Sequence, residues 1–283
     1  AFEVYALERL PHLGIADQQI LLCIVLGFVC AVLFLVRELL CTTPLINVRI
    51  FIAWKFTAVF LSFLLINIVF MGIYYLLPFY LLAGMQFDAA VSGLYLLIPS
   101  AITAIIGIPL GKWSDRIGRR PFAVAACLVL IAISSIYLAI LPEMGSLPLF
   151  AGLILMGLFW GFAGGPAASR VVDYAPRGEE GTASSLMITA LYLGCAIGIA
   201  VYATTFTTAT AGEGIVAFSD LGIGTLMKGF HFSMMVGLVF SIAAFVLSAI
   251  VRERKKPRVS QQPGQPDGIP VQVAQHPGKK KAG

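Results

Sequence analysis

Apolar residues along this chain come in long blocks rather than in alternation. Seven stretches, at about 20–36, 55–82, 91–110, 121–141, 147–168, 184–206 and 229–251, run nearly free of charge. A bilayer core takes ~20 mainly apolar residues as a helix. Blocks this long and this uniform do not alternate as barrel strands do, so the pattern predicts an all-α membrane protein with seven transmembrane helices. Local signals agree with the block edges. Pro121 stands where the fourth helix starts, a position that tolerates a missing N–H. Asp88 and Ser92 are candidate caps near the start of the third.

Composition sharpens the class. Of 283 residues, 59% are hydrophobic and 12% are charged, against ~25% charged in a soluble domain. A soluble globule of this size could not hide so much apolar surface, which excludes an ordinary soluble enzyme, a disordered chain and a disulfide-stapled module. The net charge of +5 does not point to nucleic acid, because eight of the 19 Lys and Arg lie after Val251 and the rest sit singly or in short loops. Cys23, Cys30, Cys127 and Cys195 fall inside apolar blocks and Cys41 in a loop. No CxxC or Cys/His cluster occurs, so the cysteines read as small buried hydrophobes, with neither a metal site nor a cofactor implied.

The cations set a direction. With the Gly111–Arg120 segment placed in the cytoplasm, 17 of the 19 Lys and Arg fall on the inner side, leaving only Arg9 and Lys228 outside. The acids divide evenly and carry little orientation signal. The expected topology is therefore N-terminus outside, C-terminus cytoplasmic, in a plasma membrane whose anionic inner leaflet attracts the basic tail. Three regions follow: 1–50, an extracytoplasmic segment, a linker helix and a cytoplasmic connection; 51–251, a six-helix body; and 252–283, a basic tail rich in Pro, Gln and Gly that is expected to be disordered. The first 19 residues read as an extramembrane loop, so the chain is expected to be part of a longer one.

The segment between the third and fourth blocks reads Gly111-Lys-Trp-Ser-Asp115-Arg116-Ile-Gly118-Arg119-Arg120. Gly118 suits a sharp turn and Gly111 a close approach between helices. Arg116, Arg119 and Arg120 hold the segment on the inner side, and Asp115 can cap a helix N-terminus or pair with one of those arginines. The segment resembles the signature cytoplasmic loop of the major facilitator superfamily, G-x-x-x-D-[RK]-x-G-[RK]-[RK], at all six signature positions. Gly157, Gly161, Gly165, Pro166, Pro176, Gly181, Ala183-Ser184, Gly194 and Gly198 resemble the later helices of its 14-span drug:proton antiporters. The resemblance implies that the last six helices form the second half of a transporter, with the first block as a linker helix and the first half of the fold as a missing partner. It also implies an alternating-access switch at Gly111, Asp115, Arg116, Gly118, Arg119 and Arg120.

Candidate substrate contacts lie on the second block. Phe60, Phe63, Asn67, Phe70, Tyr74 and Tyr75 recur at spacings of three and four and share one broad face. In the family the resembling helix lines the central cavity. An aromatic wall with one amide and two phenols suits a bulky, mostly apolar, cationic small molecule. The alternative is packing against lipid and neighbours, with Asn67 as an interhelical hydrogen-bond partner. Trp160 is a further candidate for the wall. The spans hold no confident internal Asp or Glu, so the titrating group that proton coupling requires is expected in the other half. His231, at the mouth of the last block, suits a capping role.

These readings make a secondary transporter exporting lipophilic or cationic organic compounds by proton antiport the leading expectation. A seven-helix receptor or sensor without transport activity is the alternative, but it rests on span count alone. An intramembrane enzyme would need paired His, Asp or Glu within the spans.

Overall fold

The computed structural model describes residues 25–27, 29–30, 32–33, 36–37, 48–140, 145–210 and 222–251. Among them no strand occurs, and six helices are long and apolar enough to cross a membrane. They are α1 (Trp54–Gly84), α2 (Ala89–Ile117), α3 (Arg119–Leu138), α4 (Leu147–Asp173), α5 (Glu180–Thr210) and α6 (Ile223–Ile250). The first expected span is helical at each of its described positions from 25 to 36, as is Arg37 after it. The rest of that span, the preceding segment and the 252–283 tail lie outside the described residues. A short 3-10 turn, Val48–Ile52, leads into α1.

Helix ends follow local chemistry. Asp88 caps α2 by accepting a 2.7 Å hydrogen bond from the Val91 N–H. Ser92, the other candidate cap, instead lies buried inside α2. Pro121 falls in the first turn of α3, where its missing N–H costs nothing. His231 holds the segment just after α3, its Nε2 lying 2.7 Å from the Ile140 carbonyl. That carbonyl can only accept, so Nε2 donates; Ile140 stands just beyond the α3 C-cap, Ala139, so the contact ties the segment after the helix to α6 rather than capping the helix.

Packing follows the connectivity in an ordered way. α1 packs on α5 as α4 packs on α2, α1 packs on α6 as α4 packs on α3, and α3 and α6 pack on each other. The three-helix units α1–α3 and α4–α6 are thus equivalent. Because each unit crosses three times, the second is inserted upside down relative to the first, the inverted-repeat arrangement of many carriers.

Small residues make the closest crossings, as expected where lipid offers no hydrophobic drive for helix association. A Cβ on Gly157 of α4 would stand 2.6 Å from Ile102 Cβ and 2.7 Å from the Pro99 carbonyl of α2. Gly194 of α5 is equally close to Asn67 of α1, and Gly198 abuts the Ile68 carbonyl. The Tyr202 ring of α5 lies against Gly72 of α1, with its hydroxyl against Gly237 of α6. α6 turns Gly229, Ser233, Gly237, Ser241, Ala244 and Ser248 into the bundle, and Ser233 and Ser241 bond back to carbonyls one turn earlier on α6. By contrast, α2 buries only a narrow strip, and α5 leaves Ile188, Tyr192 and Leu193 exposed.

Two helices widen. α1 ends in a π turn, Tyr80–Gly84, closed by the Met85 N–H on the Tyr80 carbonyl and by Gln86 at φ +58°. α4 contains a π turn in its interior, Ala163–Ala167. Pro166 has no N–H for the Phe162 carbonyl, and the helix widens there by one residue, so that the Ala168 N–H reaches Ala163.

Candidate functional site

The aromatic face of α1 divides along its length. Phe60 packs with Phe51 and Phe56 at the start of the helix, and Phe63 is buried. Farther along, Phe70 is the centre of a stack. Its ring centroid lies 5.0 Å from Phe159 and 5.2 Å from Trp160, both on α4, and 6.2 Å from Tyr74, one turn on along α1. Helical spacing puts Phe70 and Tyr74 on one face of α1, and the α1–α4 approach brings Phe159 and Trp160 against them. Tyr74 and Trp160 remain partly exposed at the edges of the stack, while Phe70 and Phe159 are buried at its centre.

Tyr75 turns away from this group and meets Phe79 edge-on, 5.4 Å between centroids. Asn67 lies deeper, at 1% exposure in the α1–α5 seam, where its Nδ2 donates a 2.7 Å hydrogen bond to the Phe63 carbonyl on its own helix. The structure therefore brings Tyr74 and Trp160 together and places Asn67 and Tyr75 elsewhere. Phe159 joins the wall without having stood out in the sequence, where its apolar surroundings hide it.

The signature segment is more helical than a loop. Gly111 to Ile117 complete α2, Arg119 and Arg120 begin α3, and Gly118 alone separates the two helices. Its φ of +111° is open to glycine and strained for other residues, so the turn expected of it is present. Gly111 departs from expectation, because a Cβ there would meet nothing within 4 Å and no close neighbour is supplied by the described residues. Asp115 and Arg116 are exposed. Arg119 lies 3.6 Å from Asp115 and donates a 2.5 Å hydrogen bond to Asp173 at the end of α4. Arg120 Nη2 reaches the Ala249 carbonyl at 2.8 Å.

A second arginine joins Arg120 on the same target. Arg170, 2% exposed near the end of α4, donates to Ser248 Oγ at 2.8 Å, to the Ser248 carbonyl at 3.1 Å and to the Val251 carbonyl at 2.7 Å. The last carbonyls of a helix have no partners within it and carry its negative dipole end. The final turn of α6 is thus held by two guanidinium groups, one from α3 and one from α4. In the sequence, Arg170 and Asp173 count only as charges at a block edge, and their convergence on α6 and Arg119 is long-range and leaves no local pattern.

This geometry has two parts. One end of the bundle is tied by arginines, and an aromatic wall stands between α1 and α4. Among the described residues, every acid (Asp88, Asp115, Asp173, Glu179 and Glu180) lies at or beside a helix end.

Residues 19–199 match the family model of the Major Facilitator Superfamily. YwoD of Bacillus subtilis strain 168, described as an uncharacterized MFS-type transporter, is 29% identical over 213 residues, covering 72% of this chain and 45% of the relative. YcnB of the same organism, similarly described, is 22% identical over 261 residues, 92% of this chain and 54% of the relative. The lincomycin resistance protein LmrB of Listeria monocytogenes is 24% identical over 266 residues, 89% of this chain and 54% of the relative. The chain spans about half the length of these relatives.

Proposed function

Because this multi-pass membrane chain belongs to the major facilitator superfamily, we propose that it forms the second half of a carrier that exports bulky, lipophilic or cationic organic compounds across the plasma membrane. The observation that carries this reading is the Tyr74–Phe70–Trp160 stack, which offers two partly exposed aromatic faces from two different helices. Aromatic faces attract flat apolar groups and cations in water-poor surroundings, worth about 0.5–2 kcal/mol per cation. A similarity to a relative named for lincomycin resistance supports an organic export substrate.

The carrier works by alternating access against another six-helix half, which packs on the exposed faces of α2 and α5. Proton antiport then draws its titrating acid from that half, since the acids described here sit at helix ends. The Gly118 end faces the cytoplasm, in keeping with the division of cations, and Asp115, Arg116, Arg119 and Arg120 form the cytoplasmic part of the switch.

The test uses the chain in lipid nanodiscs with Trp54→Phe and Trp113→Phe, which leaves Trp160 as its one tryptophan. Tetraphenylphosphonium should quench Trp160 fluorescence saturably. Tyr74→Ala should weaken that binding about tenfold, ~1.4 kcal/mol. Quenching that rises linearly with probe and is identical in Tyr74→Ala would reduce the stack to packing.

A further inference from the structure

We infer that the backbone carbonyl of Tyr74 accepts a hydrogen bond from the substrate, so that the wall favours protonated amines, which carry an N–H, over quaternary ammonium ions of the same size. This rests on the function proposed above, in which the aromatic wall holds the body of the substrate. Pro78 lies inside α1, which is α-helical from Trp54 to Phe79. A carbonyl in an α-helix takes the N–H four residues on. For Tyr74 that residue is Pro78, which has none, and the proline ring crowds the same carbonyl. The N–H groups on either side, of Leu77 and Phe79, belong to the Ile73 and Tyr75 carbonyls. In α4 the same loss is made up, because Pro166 lies within the wide turn, whose bonds reach five residues on. In α1 the wide turn begins only at Tyr80, where the Met85 N–H closes it. Met71 to Phe79 include no Ser or Thr to bond back to the Tyr74 carbonyl.

The place of this carbonyl assigns its partner. Tyr74, Tyr75, Pro78 and Phe79 are partly exposed, while Ile73, Leu76 and Leu77 are buried, so the gap opens on the free side of α1. The Tyr74 ring stacks back toward Phe70 and, through it, Trp160, whereas its carbonyl points onward to Pro78. A ligand whose apolar body lies on the Tyr74 and Trp160 rings has its cation about one helical turn, ~5 Å, further on. There the Tyr75–Phe79 pair stands beside it. An ammonium N–H on a carbonyl makes a charge-assisted hydrogen bond. A quaternary ion has no donor and keeps only its attraction to the rings. Two prolines of α2 leave similar gaps in poorer places. Pro109 leaves the Ile105 carbonyl among the exposed aliphatics Ile105 and Ile108, and Pro99, which does so at Tyr95, is itself buried.

The test is a matched pair of ligands and one substitution. Protonated benzyldibutylamine and its N-methyl quaternary ion differ by an N–H against a methyl group. Each is used to displace tetraphenylphosphonium from the chain in nanodiscs at neutral pH, read by the recovery of Trp160 fluorescence. The amine should displace the probe at about tenfold lower concentration than the quaternary ion, as a hydrogen bond to a charged group implies. Pro78→Ala restores the missing N–H to the Tyr74 carbonyl. It should bring that ratio to about one by weakening the amine, with the quaternary ion and the helicity by circular dichroism unchanged. Tyr74→Ala keeps the carbonyl and should weaken both ligands alike. Equal displacement by the two ligands, or a preference for the amine that survives Pro78→Ala, would overturn the carbonyl site and leave the aromatic wall standing. Failure of both ligands to displace the probe would instead refute the wall, and the carbonyl site with it.

Discussion

The wide turn that ends α1 and the wide turn inside α4 have the same backbone form and opposite surroundings. In α1, Tyr80 and Leu81 are buried, Tyr80 stacks on Phe230 of α6 at 4.9 Å, and a Cβ on Gly84 would come within 3.1 Å of the Tyr80 ring and 3.4 Å of Leu226. In α4 the matching glycines face open space. The inverted repeat makes α1 and α4 equivalent helices, yet one turn is locked in the core and the other is free on one side. Local backbone chemistry sets where a helix widens, and neighbouring helices decide whether the widening can move.

The largest expected effect comes from removing the anchor below the α4 turn. Arg170→Met leaves the Ser248 and Val251 carbonyls without their guanidinium. With ~1–3 kcal/mol for each buried group left unsatisfied, the loss of stability should be about 2–5 kcal/mol. Detergent-induced unfolding followed by circular dichroism would measure it. A change under about 0.5 kcal/mol, the range of ordinary surface substitutions, would mean that the end of α4 is held to α6 by its other contacts.

A smaller effect is expected at the locked turn. Gly84→Val must displace the Tyr80 ring or Leu226, and overpacking of this kind costs about 1–3 kcal/mol. Gly165→Val, in open space, should cost less than 1 kcal/mol by the same unfolding measurement. Equal losses at the two glycines would erase the contrast between the turns. The smallest effect belongs to the hydrogen bond between α2 and α4. Thr103 Oγ1 lies 2.9 Å from the Pro99 carbonyl and 3.0 Å from the Gly157 carbonyl, sharing one proton between its own helix and α4. Thr103→Val should cost about 0.6 kcal/mol, the usual size of an interhelical hydrogen bond in a membrane. A loss above 2 kcal/mol would make this bond, rather than the glycine contacts, the main tie between α2 and α4.

Much of this was readable before any coordinates. The six described spans fall where the apolar blocks place them, because a bilayer demands a run of apolar residues that a sequence cannot disguise. The Asp88 cap, Pro121 in a first turn and Gly118 at positive φ follow from one-residue chemistry. The signature segment differs from the expected loop, since Lys112 to Ile117 have no helix breaker among them and continue α2 up to Gly118. The aromatic wall was half legible. Helical periodicity put Phe70 and Tyr74 on one face, but it put Asn67 and Tyr75 there too, and a face about 100° wide contains both a seam and a wall.

What the sequence determined by itself was therefore whatever depends on the solvent and on neighbours one turn away: the membrane class, the places of the six described spans, the Asp88 cap and the tight turn at Gly118. Only the tertiary structure decided that Asn67 bonds to its own backbone in a seam with α5, that Trp160 stacks on Phe70, that Arg120 and Arg170 meet on the end of α6, and that one wide turn is packed and the other open. Each of these joins residues roughly 80 to 130 positions apart or depends on the empty side of a helix. No local pattern encodes such a meeting, because it is set by which helices the fold brings side by side.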